Sequence, residues 1–477
     1  MLFSSLAFLY LFLPLNIVLY YLFKNKVYRN IVLVLFSFIF YAWGQPLWVT
    51  LLLMTAVADY FLGRLIEKHS GTSSGKAILF LSVAFNIGLL VFLKYSGFLY
   101  ENINALFSVS LEPPSYGLPL GISFYTFRSV SYLVDVHRKD IKAETSFLDF
   151  LMFLSLYHLV AGPIVRYSEI PDQIKQRSFN IHHISSGINR FCIGLFKKVC
   201  IANIAGDFVA QYMGGDPRLL TTELSWFGLI MFTIQIYFDF SGYSDMAIGL
   251  GRIFGFNYAE NFNYPYISRS ATEFWRRWHI SLSSFLRDYL FTPLVLKFRN
   301  WGKSSAIIAT LITFTICGLW HGPSWNYILW GFYFGALISL ELLFLKKFFA
   351  RIPRVFSHVY LLFSAIMGWS LFYFTDLSHL WNYLGVMFGN SENAAFHFEF
   401  FTVLKANIFW LIIAIVFCMP VYPFVEKYLM THSKFAFLQP SSLFKTVVVI
   451  GFNICLLLLA TSMLVGKSYN AFLYMKF

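Results

Sequence analysis

The chain has 477 residues, of which 58% are hydrophobic and 12% charged, with a mean hydropathy of +0.65. A soluble domain carries about a quarter charged residues, so a soluble globular protein is excluded and a polytopic membrane protein is indicated. The formal net charge of +13 sits mainly in short connectors between apolar segments, which makes it a topology signal rather than a sign of nucleic-acid binding.

The first apolar segment, 6–23, lacks a basic leader and a small-residue cleavage site and is followed by Lys24, Lys26 and Arg29. It reads as a retained first span with its N-terminus outside. Further apolar segments follow at 31–43, 47–63, 77–99, 118–137, 147–165, 188–212, 224–250, 304–321, 324–345, 355–374, 406–425 and 445–465. Most reach the roughly 17 to 25 residues that a spanning helix needs. The segment 147–165 lies between two basic stretches and is read as a re-entrant or partly inserted pair of short helices. The remaining twelve are read as full crossings.

With that assignment, most of the 36 Lys and Arg fall in the stretches 24–30, 64–76, 138–190, 252–303, 346–354 and 426–445. The loops 100–117 and 376–405 carry Glu101, Glu112, Asp376, Glu392 and Glu399 against Lys405 alone. The positive-inside rule then places both termini outside and the basic stretches in the cytoplasm. The fold class is therefore an all-α membrane helix bundle, read as one membrane domain: N-terminal helices 1–145, a core 146–375 and C-terminal helices 376–477. The five cysteines, Cys192, Cys200, Cys317, Cys418 and Cys455, show no CxxC or metal-ligand spacing. They read as apolar packing residues, and neither a disulfide nor a metal site is expected.

Chemistry concentrates in the middle of the chain. Cys317 to Gly331, CGLWHGPSWNYILWG, places Trp320 and His321 in an apolar, aromatic segment. An ionisable group at membrane depth is costly and reads as functional, against the alternative of a histidine bonded to a neighbouring helix. Pro323 cannot donate a backbone hydrogen bond and disfavours helix at the residue before it, so the helix is expected to break beside the imidazole.

Upstream, RSATEFWRRWHISLSSFLRDYLFTPL from Arg269 to Leu294 interleaves Arg276, Arg277 and Arg287 with Phe274, Trp275, Trp278, Phe285 and Tyr289. This mixture reads as an amphipathic helix at the interface, whose bland role is contact with anionic membrane lipid. His279 within it is the second candidate. Two histidines can divide positioning and general-base roles, since an imidazole exchanges protons near neutral pH. Arg276, Arg277 and Trp278 are expected at a donor entrance, where guanidinium would pair with phosphate.

The helix YFDFSGYSDMAIGLGRIFGF, 237–256, carries Asp239 and Asp245. Both need partners, and bracing or donor positioning are the two readings. Asp59, Arg128, Asp135, His158, Asp207 and Glu341 invite the same caution. There is no GxSxG, P-loop, HExxH or dinucleotide fingerprint, so those hydrolase, ATPase, zincin and Rossmann chemistries lack their residues.

Four blocks, YHLVAGPIVRYSEI (157–170), YFDFSGYSDMAIGLGRIFGF, FWRRWHISLSSFLRDYL and GLWHGPSWNYILWGFYFG, resemble the membrane-bound O-acyltransferase (MBOAT) superfamily. The nearest branch is that of bacterial alginate and peptidoglycan O-acetyltransferases. The likeness runs to about residue 375; beyond it only hydropathy agrees.

The resemblance implies that His321 is the catalytic histidine of the family's WHG motif and that His279 corresponds to its upstream histidine. It implies a multi-pass protein of the bacterial cytoplasmic membrane in which funnels from both faces meet near His321. A cytoplasmic acyl donor, acetyl-CoA, would serve as substrate with no bound cofactor. An extracytoplasmic SGNH-hydrolase-like partner would place the acetyl group on a polysaccharide such as alginate, or on peptidoglycan. Two alternatives stand beside this: D-alanyl transfer to teichoic acid within the same superfamily, and a proton-coupled transporter. The transporter reading lacks the inverted repeat it would commonly show.

Overall fold

The structure, a computed structural model, describes residues 1–114, 117–160, 162–177, 179–390, 398–421, 423–425, 428, 443–466 and 472–473. All regular secondary structure among the described residues is helical. Eight helices among them are long and apolar enough to cross a membrane, Trp48–Lys68, Ser73–Phe107, Thr222–Ile253, Lys303–His321, Trp325–Phe349, Arg354–Tyr373, Phe398–Phe417 and Thr446–Val465, and Phe8–Leu22 is a shorter apolar helix. Many large apolar side chains on them are exposed, such as Phe80 at 72% and Phe409 at 81%, as helices facing lipid tails require.

Helix boundaries follow local caps more closely than apolar runs. The expected 31–43 segment becomes Lys26–Ala42 because the Asn25 side chain accepts the Tyr28 N–H at the polar N-terminus. The 77–99 segment extends to Ser73–Phe107, started by the Thr72 side chain accepting the Gly75 N–H. Lys26–Ala42 and Ile122–Arg138 have 17 residues each, at the lower limit for a crossing of about 17 residues. The 147–165 segment forms two short helical pieces, the α-helix Phe147–Ser155 and the single 3-10 turn Tyr157–Leu159. Arg128, fully buried, donates to the carbonyls of Phe153 at 3.3 Å and Leu154 at 3.0 Å and to that of Leu159, so its guanidinium takes over carbonyls that a continuing helix would have used. Glu392 and most of the basic stretch 426–445 lie outside the described residues.

The chain divides into two compact units, Met1–Phe191 with Tyr243–Ala259, and Cys192–Gly242 with Glu260–Leu473. In the first, Phe3, Phe8, Phe12, Phe40 and Tyr157 form an aromatic core, with the Phe12 and Tyr157 rings 5.3 Å apart at 88°. The Tyr157 hydroxyl accepts from Asn16 Nδ2 at 2.9 Å, which satisfies two buried polar groups at once. The second unit holds both candidate histidines.

Candidate active site

The helices Lys303–His321 and Trp325–Leu340 form a hairpin whose break falls at Gly322–Ser324, as the Pro323 argument requires. Glycines let the two backbones touch. A Cβ on Gly318 would lie 2.1 Å from the Tyr327 carbonyl oxygen, and one on Gly331 would lie 2.2 Å from that of Phe314. At the break, a Cβ on Gly322 would sit 2.2 Å from the Tyr327 ring.

His321 ends the first helix and is 6% exposed. Its ring meets Trp320 at 5.0 Å, Trp330 at 5.0 Å and Phe372 at 5.3 Å between centroids. Phe372 is brought there by Asn326, whose Nδ2 donates to the Leu371 carbonyl at 3.0 Å.

The stretch expected to be one amphipathic helix is broken in two. Ala271–Arg277 ends at Trp278, which is extended (φ −99°, ψ 129°), and Ile280–Leu286 begins after His279, which adopts a left-handed conformation (φ 43°, ψ 55°). A non-glycine residue there is strained by about 1 to 3 kcal/mol and persists only when its surroundings over-determine it. Asn261 supplies that constraint: its carbonyl accepts the Ile280 N–H at 2.9 Å, and its Oδ1 accepts the Ser281 N–H at 3.2 Å and the Ser281 hydroxyl at 2.9 Å.

The same Oδ1 lies 3.0 Å from His279 Nδ1. Because the Ser281 backbone N–H can only donate, the Asn261 atom facing it is the oxygen, and Nδ1 must carry the proton. Nε2 is then the basic nitrogen. Burial pushes the His279 pKa down to about 3, so the ring stays neutral at physiological pH.

A chain of aromatic rings joins the two histidines. Phe262 lies 6.5 Å from His279 and 5.1 Å from Trp278; Trp278 lies 4.8 Å from Trp369, which lies 6.2 Å from Trp330, the ring against His321. Phe240 closes on His279 at 4.6 Å. Trp369 satisfies its indole N–H on the Tyr266 hydroxyl at 3.2 Å.

The residues expected at a donor entrance therefore separate. Trp278 is 4% exposed and belongs to this packing rather than to a lipid-facing surface. Arg277 is held by Glu273 at 3.0 Å and by the Asn263 carbonyl at 3.2 Å, while Arg276 is exposed. Asp239 is ion-paired with Lys198 and accepts the Leu473 N–H at 2.7 Å. Asp245 pairs with Arg190 at 2.7 Å in the first unit. Both carboxylates thus have the partners that burial demands, and they fall in different units.

Sequence reasoning missed Asn261 and the reach of Glu341. That carboxylate, 3% exposed, accepts the N–H groups of Ala271 at 2.6 Å and Thr272 at 2.9 Å, the Thr272 hydroxyl at 2.6 Å and the Tyr360 hydroxyl at 3.1 Å. No group of His, Cys, Asp and Glu suited to a metal ion occurs among the described residues.

The chain is similar to known proteins. The chain is 40% identical over 396 residues to a probable alginate O-acetylase AlgI of Azotobacter vinelandii, covering 81% of this chain and 78% of that relative. It is 33% identical over 408 residues to a peptidoglycan O-acetyltransferase of Helicobacter pylori, covering 78% and 77%. A teichoic acid D-alanyltransferase of Streptococcus thermophilus is 30% identical over 265 residues, covering 51% and 62%. The family profile described as "MBOAT, membrane-bound O-acyltransferase family" matches residues 33–381, which include both histidines and the rings between them. The chain belongs to the membrane-bound O-acyltransferase family.

Proposed function

We propose that the protein moves an acetyl group from a cytoplasmic CoA thioester, across a bacterial cytoplasmic membrane, toward a hydroxyl of an extracytoplasmic polysaccharide such as alginate. The observation that carries this reading is the pair of buried histidines joined by aromatic rings. One of them, His279, is locked by Asn261 as the neutral Nδ1–H tautomer. The breadth of the likeness to the alginate O-acetylase, 81% of this chain against 51% for the D-alanyltransferase, favours acetyl over D-alanyl transfer.

His321 acts as general base. It takes the proton from the acceptor hydroxyl as that oxygen attacks the thioester carbonyl, and the proton leaves with the thiolate as thiol when the tetrahedral intermediate collapses. A positioned base contributes about 10²- to 10⁴-fold to such a step. His279, with a pKa of about 3, is a weak base at neutral pH. Its Nε2 serves as a fixed hydrogen-bond acceptor that positions donor or acceptor. Arg276, exposed beside it in sequence, and Arg277 attract the phosphates of the donor, while Trp278 and Trp320 shape the pocket around the imidazoles. Asp239 and Asp245 act as braces.

The acceptor is an SGNH-like partner protein outside the membrane, which passes the acetyl group to the polymer. Both termini lie outside and 252–303 lies in the cytoplasm. Transfer of label from acetyl-CoA by the purified protein tests the reading. His321→Ala should abolish it with folding intact, and His279→Ala should reduce it strongly. Near wild-type transfer by His321→Ala would remove the proposed base from the mechanism.

A further inference from the structure

In the first unit, two arginines crowd one tyrosine. Arg29 is 7% exposed, and its guanidinium carbon lies 4.0 Å from the centroid of Phe179, 5.3 Å from that of Tyr20 and 5.6 Å from that of Tyr21. Arg177 approaches the same Tyr20 ring at 5.8 Å and Phe256 at 5.0 Å. The Tyr20 ring is fixed by its hydroxyl, which donates to the Phe254 carbonyl at 2.6 Å.

The acid in this cluster is already engaged. Asp149 accepts Lys26 Nζ at 2.9 Å and Asn30 Nδ2 at 2.7 Å, and Asn30 in turn accepts from Arg177 through its Oδ1. This carboxylate thus serves Lys26 directly and Arg177 only through Asn30, and neither arginine has a carboxylate of its own among these contacts. Arg29 donates through Nε to the Phe23 carbonyl at 3.0 Å, and its two terminal nitrogens meet no hydrogen-bond acceptor among the described residues.

Guanidinium does not shed its proton in proteins, so it cannot escape burial by becoming neutral. Burial is the largest influence lowering the Arg177 pKa, and the Arg29 charge acts in the same direction. The aromatic faces offset part of the cost, but two like charges on one ring are relieved more fully by an anion. The rim includes Phe179 at 38% exposure and Phe23 at 55%, so an amphiphile can approach.

We propose that Arg29 and Arg177 form a binding site for a phosphate group carried on an amphiphilic ligand, held by the guanidinium forks, with the exposed Phe179 and Phe23 against its apolar part. Phosphate matches the fork bidentately and carries the charge the cluster lacks. Two sources share this chemistry: the headgroup of an anionic phospholipid, and the phosphates of a CoA-type nucleotide. The site does not depend on the roles assigned to His279 and His321.

The test uses the full chain in detergent with two probes, phosphatidylglycerol by native mass spectrometry and CoA by equilibrium binding. It compares the wild type, Arg29→Gln, Arg177→Gln, the double variant and the exposed-lysine control Lys346→Gln. Each lost charged contact should weaken binding by about tenfold, with the control unchanged. Loss for phosphatidylglycerol alone assigns the site to a lipid headgroup, and loss for CoA alone assigns it to the nucleotide; either result upholds a phosphate site. If the double variant fails to elute as a monodisperse species, the single variants decide. Wild-type protein that binds neither probe, or arginine variants that bind both as the wild type does, would overturn the proposal.

Discussion

The Glu341 carboxylate accepts the backbone N–H of Ala271 at 2.6 Å, so the end of one helix run caps the start of another. Glu341 follows directly on Trp325–Leu340, the second arm of the His321 hairpin, and Ala271 opens the short helix that leads into His279. A negative charge at a helix N-terminus is doubly favourable, through hydrogen bonds to otherwise unsatisfied N–H groups and through the helix dipole. The two histidine motifs are thereby fastened to each other at a second point besides the aromatic rings.

Removing that fastening should affect turnover more than substrate affinity. Glu341→Ala leaves the Ala271 and Thr272 N–H groups without a buried acceptor and should cost about 1 to 3 kcal/mol. Glu341→Gln keeps an acceptor oxygen and should retain more activity. Steady-state kinetics of both variants is the check: kcat should fall about tenfold or more in the alanine variant with KM little changed, and partly recover in the glutamine variant. Equal losses in both would reduce Glu341 to a general stabiliser.

Asn261 should set the protonation behaviour of His279. Replacing it by Asp places a carboxylate against Nδ1–H, which favours the imidazolium and should raise the His279 pKa above its present value of about 3. The pH–rate profile of Asn261→Asp should therefore shift its acid limb upward. Asn261→Ala frees the tautomer and relaxes the left-handed backbone, and should lower kcat by about tenfold. An unshifted profile in Asn261→Asp would contradict the hydrogen bond inferred from geometry.

The glycine contact in the hairpin predicts a steric effect with no chemistry in it. Gly318→Ala and Gly331→Ala each push a methyl group into a backbone carbonyl of the facing helix, and overpacking of this kind costs about 1 to 3 kcal/mol. Both should lower the thermal midpoint in detergent. Gly451→Ala, which meets nothing within 4 Å, should leave it unchanged.

Acid should loosen the second unit through His279. Its folded pKa of about 3 lies below the ordinary imidazole value of 6.5, so between those values the unfolded state binds a proton that the folded state does not. Stability from this group is complete above about pH 6.5 and falls as pH drops toward 3, by at most about 1.4 kcal/mol per pH unit. Unfolding followed at pH 7.5 and 5 should show a loss that shrinks when His279 is replaced by Gln.

The membrane class and the break at His321 were legible because hydropathy and Pro323 act locally. The wider meaning of the 269–294 stretch was not. Neither Trp278 nor His279 is a helix breaker by residue type, and the left-handed turn exists because Asn261, 18 residues earlier, holds it. Glu341 was equally silent in the sequence: its partners lie 70 and 69 positions away. Asp239 and Asp245 stand on one helix and each was expected to need a partner, but which partner was not legible: Lys198 serves the first and Arg190 the second. Apolar periodicity indicates where helices run, while the placement of single polar groups is decided by distant contacts.

The rings from Phe262 through Trp278, Trp369 and Trp330 to His321 bear on fidelity. A thioester next to a general base is hydrolysed by any water that reaches it, and water is far more concentrated than the acceptor hydroxyl. With His321 acting on a thioester as proposed, rings packed at these distances leave little room for solvent, and the competing thioesterase reaction would be suppressed by exclusion rather than by recognition. Shortening Trp369, the ring midway along the chain, would then turn a synthetic enzyme into a wasteful one, consuming donor without making ester.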